Sequence, residues 1–229
     1  MPPEMQNMSL APPSGRRLTE INMAPCPLHT IDADMANENS MPAWPGARDA
    51  LLVVDVQKDF LPGGALGVAR GDEVVAPLNA AIRAFERAGR PIYASRDWHP
   101  ANHCSFKARG GPWPPHCIAG TPGAEFADGL ALPPSAVLIS KADTPDADAY
   151  SAFGGNDLAV QLRRKGVRRV IVGGLTTDYC VLNTVLDARA AGFEAVVLAD
   201  AIRAVEVQPG DGARALDTMR KAGARLEHA

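Results

Sequence analysis

Several features that would assign the chain to a particular class of protein are missing from its sequence. No run of 18 apolar residues occurs, so no membrane-spanning helix is predicted. The 23 lysines and arginines are outnumbered by 26 acidic residues, and a net charge of −3 predicts no basic surface for nucleic acid. We therefore expect a protein that binds neither a membrane nor nucleic acid.

Cysteine is also scarce. The 229 residues include four cysteines, at irregular spacing and without a CxxC pair, which argues against a disulfide framework. The N-terminus lacks the succession of charged, apolar and small residues that forms a secretory signal. A reduced, cytoplasmic setting is the expectation.

Residues 1–47 differ in composition from the rest of the chain. They are rich in Pro, Met, Asn and Ser and show neither a helical nor a strand period. We interpret them as a disordered or atypical N-terminal extension, with Met35 and Met41 as alternative start sites. Residues 48–229 then form one domain, and the apolar share of 46% is sufficient for a core.

Apolar runs alternate with helical patterns throughout 48–229. This alternation predicts an α/β fold with a parallel sheet and helices on both faces. Ligands of such sheets bind outside the carboxyl ends of the strands. Strands are predicted at 50–55, 91–95, 136–140, 170–172 and 194–199, with a weaker signal near 225, and helices at 72–88, 157–165, after 176 and at 211–222.

The segment 169–181, RVIVGGLTTDYCV, suggests a nucleophile. A short buried strand bounded by Gly173 and Gly174 is followed by residues that favour helix N-caps. Cys180 is thereby predicted in the first turn of a helix, where unpaired N–H groups and the helix dipole favour the thiolate. The alternative is a small cysteine buried in the core.

Two more strands end in residues capable of chemistry. Asp55 and Lys141 could each be a solvated charge at a strand end. At the same sheet edge as Cys180, Asp55 could accept the thiol proton and Lys141 could stabilise negative charge. The three residues together would suit acyl transfer.

Histidines cluster behind the second predicted strand. His99, His103 and His116 fall within 18 residues, and Asp97 stands two residues before His99. We predict that Asp97, His99 and His116 bind one divalent metal ion, with His103 as either a fourth ligand or a residue that orients the ligands. Imidazole and carboxylate ligands without thiolates suit Zn, Fe or Mn.

Aromatic residues are few but concentrated in the same loops. The chain has 12 Phe, Trp and Tyr residues in total. Five of them are predicted to line a pocket for a flat ring, although packing on the sheet is the alternative for each. These five are Phe60, Trp98, Trp113, Tyr150 and Phe153.

Five collinear segments resemble nicotinamidases of the isochorismatase-like cysteine hydrolase family. Their joint occurrence is specific, and they span nearly all of residues 50–200. The segments are VVDVQKDFLPGGALGV (53–68), RDWHPANHCSF (96–106), WPPHCIAGTPGAEF (113–126), SKADTPDADAYSAF (140–153) and GGLTTDYCV (173–181). One departure is Ala142, where the family often has glycine.

The resemblance implies a three-layer fold with six mostly parallel strands and hydrolysis of nicotinamide to nicotinate and ammonia, as in NAD salvage. The reaction would proceed through a cysteine thioester, and pyrazinamide would be a second substrate. The implied catalytic triad is Asp55, Lys141 and Cys180. The metal on Asp97, His99 and His116 would bind the pyridine nitrogen.

The resemblance also implies a set of substrate-binding residues, Phe60, Trp113, Tyr150 and Thr176. Phe60 and Trp113 would sandwich the ring. A cis peptide bond between Leu175 and Thr176 would direct the N–H groups of Thr176 and Cys180 into an oxyanion hole.

Other functions stay open at this point. A second amidase or an isochorismatase-type hydrolase of the same family would share the strand ends, and a catalytically silent metal-binding scaffold would share the fold. A redox-sensing thiol is disfavoured because no second cysteine lies close to Cys180 in sequence. The sequence does not determine whether the protein forms a homo-oligomer.

Overall fold

Six parallel strands form the central sheet of the computed structural model, which describes residues 44–229. They are β1 (Asp49–Val54), β2 (Ile92–Asp97), β3 (Val137–Lys141), β4 (Arg169–Leu175), β5 (Glu194–Arg203) and β6 (Arg225–Glu227). Their order across the sheet is β3-β2-β1-β4-β5-β6, and every pairing is parallel. The predicted α/β fold is confirmed, including the weakly signalled strand near residue 225.

Helices cover both faces of this sheet. Helix α1 (Val75–Arg87) packs on one face, while α2 (Leu158–Arg164), α3 (Leu182–Ala190) and α4 (Asp211–Lys221) pack on the other. β1 is buried on both sides. Leu51 and Val53 belong to the apolar cluster that includes α1, whereas Ala50, Leu52 and Val54 belong to the cluster on the opposite face of the sheet. This double burial explains why β1 is a continuous apolar run rather than an alternating one. None of the helices in the described residues has the length and apolar character needed to span a bilayer.

The strand order brings four chemically capable residues to one edge. Asp55 directly follows β1, Asp97 ends β2 and Lys141 ends β3. Cys180 lies in a π-helical turn, Thr177–Val181, that joins β4 to α3. Because β3, β2, β1 and β4 are neighbours, their carboxyl ends meet at the centre of the edge.

The fourth strand is longer than predicted. β4 continues through Gly173 and Gly174 to Leu175, whereas the prediction ended it before the glycines. A Cβ on Gly174 would lie 2.0 Å from the carbonyl oxygen of Val54, and its φ of +130° is one that side chains rarely adopt. Gly174 therefore marks a close approach between β4 and β1 rather than the end of the strand.

The nucleophile turn also differs in its capping. Thr176 occupies the N-cap position in extended conformation, as predicted, but donates or accepts no side-chain capping bond. The carboxylate of Asp178 instead accepts the backbone N–H groups of Val205 and Glu206. This turn is thus attached to a distant segment rather than capped from within.

The predicted extension at 1–47 lies mostly outside the described residues, as do Met35 and Met41. Its last four residues belong to the fold. Trp44 is buried, and its ring stacks on Phe85 of α1 at 6.0 Å between centroids. The described fold therefore begins at least four residues before the predicted boundary.

Candidate active site

A buried ammonium group stands at the centre of the site. Lys141 Nζ lies 2.9 Å from Asp55 Oδ2 and 3.5 Å from Cys180 Sγ, and it donates a hydrogen bond to Asp97 Oδ1. A further hydrogen bond, 3.1 Å long, reaches the carbonyl oxygen of Ala149. The structure thus brings the three predicted catalytic residues together, with Asp97 as a fourth member of the cluster.

The two carboxylates keep Lys141 charged. Burial lowers the pKa of the Lys141 ammonium, but the negative charges of Asp55 and Asp97 outweigh it and raise the pKa well above its usual value. Burial raises the pKa of the Asp55 carboxyl, opposed by Lys141 and assisted by the nearby charge of Asp97. Ser95 Oγ donates a 2.7 Å hydrogen bond to Asp55 Oδ1 and so stabilises the ionised form. Asp55 is consequently a stronger proton acceptor than an exposed aspartate.

The prediction that the Cys180 thiol is shifted toward thiolate is wrong in direction. Burial raises the pKa of Cys180 well above its usual value, Lys141 lowers it by less, and the charges of Asp55 and Asp97 raise it further. The helix N-terminus and one ammonium do not compensate for complete removal from water. The resting group is therefore a thiol, and its proton must leave when the sulfur attacks.

Asp97, His99 and His116 form a second cluster beside the thiol. All three are buried, and one ligand atom from each lies within 4.8 Å of the others. His99 Nδ1 lies 3.2 Å from the carbonyl oxygen of Ala142, and His116 Nδ1 lies 2.8 Å from that of Pro114. Since a carbonyl oxygen only accepts, both Nδ1 atoms carry the proton and both Nε2 atoms keep a lone pair.

The protonation states of this cluster fit a metal ion. Burial lowers the pKa of His116, which favours the neutral imidazole that binds metals. Burial opposes ionisation of Asp97, but the pKa of Asp97 lies well below the usual range, and Lys141 is the largest of the groups that lower it. Imidazoles oriented by backbone carbonyls and one ionised carboxylate are the donor set of a transition-metal site.

His103 lies outside this donor set. Its Nδ1 is 2.7 Å from Ser105 Oγ and its Nε2 is 3.1 Å from the carbonyl oxygen of Ala147. Its ring stacks on His99 with centroids 4.3 Å apart. Both ring nitrogens are already bonded within the protein, so of the two predicted alternatives the geometry favours an orienting residue.

A small pocket opens above both clusters. Three of the five predicted aromatics, Phe60, Trp113 and Tyr150, line it together with Thr176 and Cys180. Trp113 Nε1 donates a 3.0 Å hydrogen bond to the hydroxyl of Tyr150, which fixes the two rings relative to each other.

The other two predicted aromatics lie elsewhere. Trp98 packs under the guanidinium of Arg96, whose carbon is 3.7 Å from the ring centroid. Phe153 pairs with Phe193 at 6.2 Å in the core. A loop position close to a strand end therefore did not suffice to predict a lining role.

Sequence reasoning missed several residues of the pocket wall. Tyr179 contacts Trp113 edge to face, with 4.9 Å between the ring centroids. It could have been predicted as a lining residue because it is adjacent in sequence to Cys180. Ser105 could have been found from its place beside His103. Leu66 and Asp148 lie within the family segments 53–68 and 140–153 but were not singled out, and nothing in the local sequence marked Val205; these three residues complete the lining.

Two backbone features at the site bear on the family resemblance. The Leu175–Thr176 peptide bond is cis, as the resemblance implies. Ala142, which stands where the family often has glycine, adopts φ +51°, in the left-handed region that favours glycine. Its carbonyl oxygen is the acceptor that orients His99.

Fold and site define a class of α/β proteins with a cysteine, a lysine and a carboxylate at the carboxyl edge of a parallel sheet. The chain belongs to the isochorismatase family, since the model described as Isochorismatase domain matches residues 49–228. The family resemblance is thereby confirmed.

Proteins similar to this chain include several named nicotinamidase or pyrazinamidase, some of them with solved structures. The nicotinamidase of Escherichia coli is 40% identical over 198 residues, which cover 77% of this chain and 93% of that protein. The crystal structure of the pyrazinamidase of Pyrococcus horikoshii in complex with zinc is 50% identical, covers 80% of this chain and 99% of that one, and has a TM-score of 0.76. PnC1 from L. infantum in complex with nicotinate is 38% identical, with coverages of 80% and 94% and a TM-score of 0.72.

Proposed function

We propose that this protein is a nicotinamidase, which hydrolyses nicotinamide to nicotinate and ammonia in NAD salvage. One observation carries the proposal: a single pocket is lined by Cys180, by the Asp97 and His116 donors and by the Trp113 ring. A pyridine ring that carries a carboxamide matches these groups, since the ring can lie against Trp113 with its nitrogen toward the metal-binding residues and its carboxamide toward the thiol. The similarity to a nicotinamidase and to a nicotinate complex supports it. Cysteines without disulfide partners in the described residues are consistent with the cytoplasm.

The first half-reaction forms a thioester. Asp55 takes the proton of Cys180, and the sulfur attacks the carboxamide carbon. The N–H groups of Thr176 and Cys180 stabilise the resulting oxyanion. Asp55 then gives the proton to the nitrogen, and ammonia leaves as the C–N bond breaks. Lys141 keeps a fixed positive charge beside the reacting sulfur throughout.

The second half-reaction consumes one water molecule. Asp55 accepts a proton from that water while its oxygen attacks the thioester carbon. The C–S bond breaks, nicotinate is released, and the sulfur regains a proton. The raised pKa of Asp55 suits it to both transfers, because a base with a very low pKa would take the thiol proton poorly.

The donor cluster holds one divalent ion in this proposal. Asp97, His99 Nε2 and His116 Nε2 bind it, and Zn, Fe and Mn all suit these ligands. When bound, the ion supplies a Lewis acid that anchors the pyridine nitrogen. Phe60 and Trp113 enclose the ring, and Tyr150 holds Trp113 in place.

The test measures ammonia release from nicotinamide by wild type and Cys180→Ala, each with and without chelator. We expect wild-type activity to fall by about 10⁴-fold or more on mutation, as for other nucleophile deletions, and to be lost on chelation. Cys104→Ala is the matched control, since this partly exposed cysteine does not line the pocket and should keep activity.

Pyrazinamide, a ring of similar shape, should be turned over as well. No ammonia from nicotinamide in metal-loaded wild type would refute the proposal and direct attention to other amides or to isochorismatase-type substrates. Activity that survives chelation would support the assignment as a cysteine hydrolase but would show that the reaction does not need the metal ion. A protein inactive on every amide, with bound metal, would be the silent scaffold.

A further inference from the structure

One wall of the pocket comes from a segment that none of the family motifs contains. Val205 follows β5 and is half-buried. It lines the same pocket as Cys180 and packs against the apolar cluster that includes Phe60 and Leu175. It is therefore an apolar surface next to the reacting groups, supplied by the C-terminal part of the chain.

The nucleophile turn itself holds this wall in place. Asp178 stands two residues before Cys180, and its two carboxylate oxygens accept separate backbone hydrogen bonds from the other segment. The N–H of Val205 lies 3.0 Å from Oδ1, and that of Glu206 lies 2.9 Å from Oδ2. Hydrogen bonds to an ionised acceptor are the stronger kind, and two of them fix both position and orientation.

A second anchor holds the same segment from the other side. Glu206 has a left-handed backbone with φ +54°. Its carboxylate accepts the N–H groups of Gly210 at 2.6 Å and Gly212 at 2.9 Å, at the start of α4. Loss of the Asp178 contacts would thus free Val205 to move without detaching the segment from α4.

We propose that Asp178 is a positioning residue that fixes Val205 as the wall limiting the size of the carboxamide substrate's ring. The inference rests on the proposed function for the identity of that substrate. Asp178 touches neither substrate nor thiol in this account. It acts through the position of Val205, so its loss should change which rings bind rather than the rate of bond breaking.

The kinetic test compares Asp178→Ala, Asp178→Asn and Val205→Ala with nicotinamide and with its 5-methyl and 6-methyl derivatives. For Asp178→Ala we expect KM for nicotinamide to rise about tenfold with kcat within about twofold, the scale of one misplaced methyl contact. Discrimination against at least one methylated ring should fall by about fivefold or more. Asp178→Asn keeps one acceptor oxygen and should lie between wild type and Asp178→Ala.

The double variant tests whether the two residues act as a unit. In a Val205→Ala background, Asp178→Ala should change KM by less than about twofold, because the wall it positions is already gone. Asp200→Ala is the matched control. Asp200 lies on β5 and, like Asp178, accepts a backbone N–H, that of Ala229 at 3.0 Å, but it does not line the pocket.

A labelling test separates this inference from the proposed function. The rate of Cys180 alkylation is measured by peptide mass spectrometry with small iodoacetamide and bulky N-phenylmaleimide. Asp178→Ala should raise the bulky-to-small rate ratio, and Asp200→Ala should leave it unchanged. Equal ratios, or a loss of kcat with slower labelling by both reagents, would overturn the inference. Wild type that labels as expected but releases no ammonia from nicotinamide would overturn only the proposed function.

Discussion

Lys141 Nζ lies 2.9 Å from Asp55 Oδ2, and neither side chain is exposed to solvent. The same ammonium also bonds Asp97 and approaches the Cys180 thiol. One buried cation therefore compensates two buried carboxylates. The balance of charge at the carboxyl edge of the sheet depends on this residue.

Replacement of Lys141 by methionine should destabilise the fold as well as abolish activity. The substitution removes the cation that balances two buried carboxylates, and breaking a buried pair from one side costs about 3–5 kcal/mol of unfolding free energy. Urea denaturation of chelator-treated protein measures it. The double variant Lys141→Met/Asp55→Asn should lose less stability than the single one, because one of the stranded charges is gone.

Lys58→Met provides the control for that comparison. Lys58 also pairs with two carboxylates, Glu125 and Asp128, but those carboxylates are well exposed. Water screens such pairs, so its loss should change stability far less. Equal losses for the two methionine variants would show that burial does not govern the Lys141 contacts.

The acid limb of the pH–rate profile should report Asp55. Activity requires the ionised carboxylate and is lost as pH falls through its pKa, which burial places above the range of an exposed aspartate. Ser95→Ala removes a hydrogen bond to the charged form, so the pKa should rise and the limb of kcat/KM should move to higher pH. Ser140→Ala, whose hydroxyl accepts from Arg96 instead, should leave the limb in place. A shift to lower pH in Ser95→Ala would contradict the assignment.

Metal binding should distinguish His116 from His103. His116→Ala removes a ligand and should lower metal affinity by more than about 100-fold, the upper end of what loss of an outer-shell partner costs. His103→Gln should keep one metal ion per chain, because both nitrogens of His103 are bonded to Ser105 and Ala147. Metal content of dialysed protein and competition with a chelator measure both quantities. Comparable losses in the two variants would make His103 a ligand.

The hydrogen bond between Trp113 and Tyr150 should contribute to substrate binding. Trp113→Phe and Tyr150→Phe each keep a ring and lose the same bond, so each should raise KM about two- to tenfold and the double variant should be no worse than the singles. Tyr93→Phe is the control, since the buried Tyr93 hydroxyl has no hydrogen-bond partner among the described residues. Additive increases in KM would show that the Tyr150 hydroxyl and the Trp113 indole N–H act separately.

The errors of the sequence analysis share one physical origin: each concerns a property that depends on residues far away in the sequence. The end of β4 was misplaced because glycine is required at 173 and 174 by the close approach of Leu78 and Val54, which are more than 90 residues away in sequence. The direction of the Cys180 pKa was wrong because local position suggests the helix dipole, whereas burial by the whole core dominates. Val205 was missed because its place in the pocket depends on Asp178, 27 residues earlier.

The four charged or nucleophilic residues at the centre of the site could be predicted from the sequence alone. Alternating strands and helices force a parallel sheet, and such a sheet collects the carboxyl ends of its strands at one edge, so Asp55, Asp97, Lys141 and Cys180 could be placed together from their positions alone. The charge states of these groups and the walls of the pocket depend on the folded structure. No local sequence pattern encodes them, because they depend on groups that folding brings close together. They include the desolvation of Cys180, the tautomers of His99 and His116 and the position of Val205 in the pocket wall.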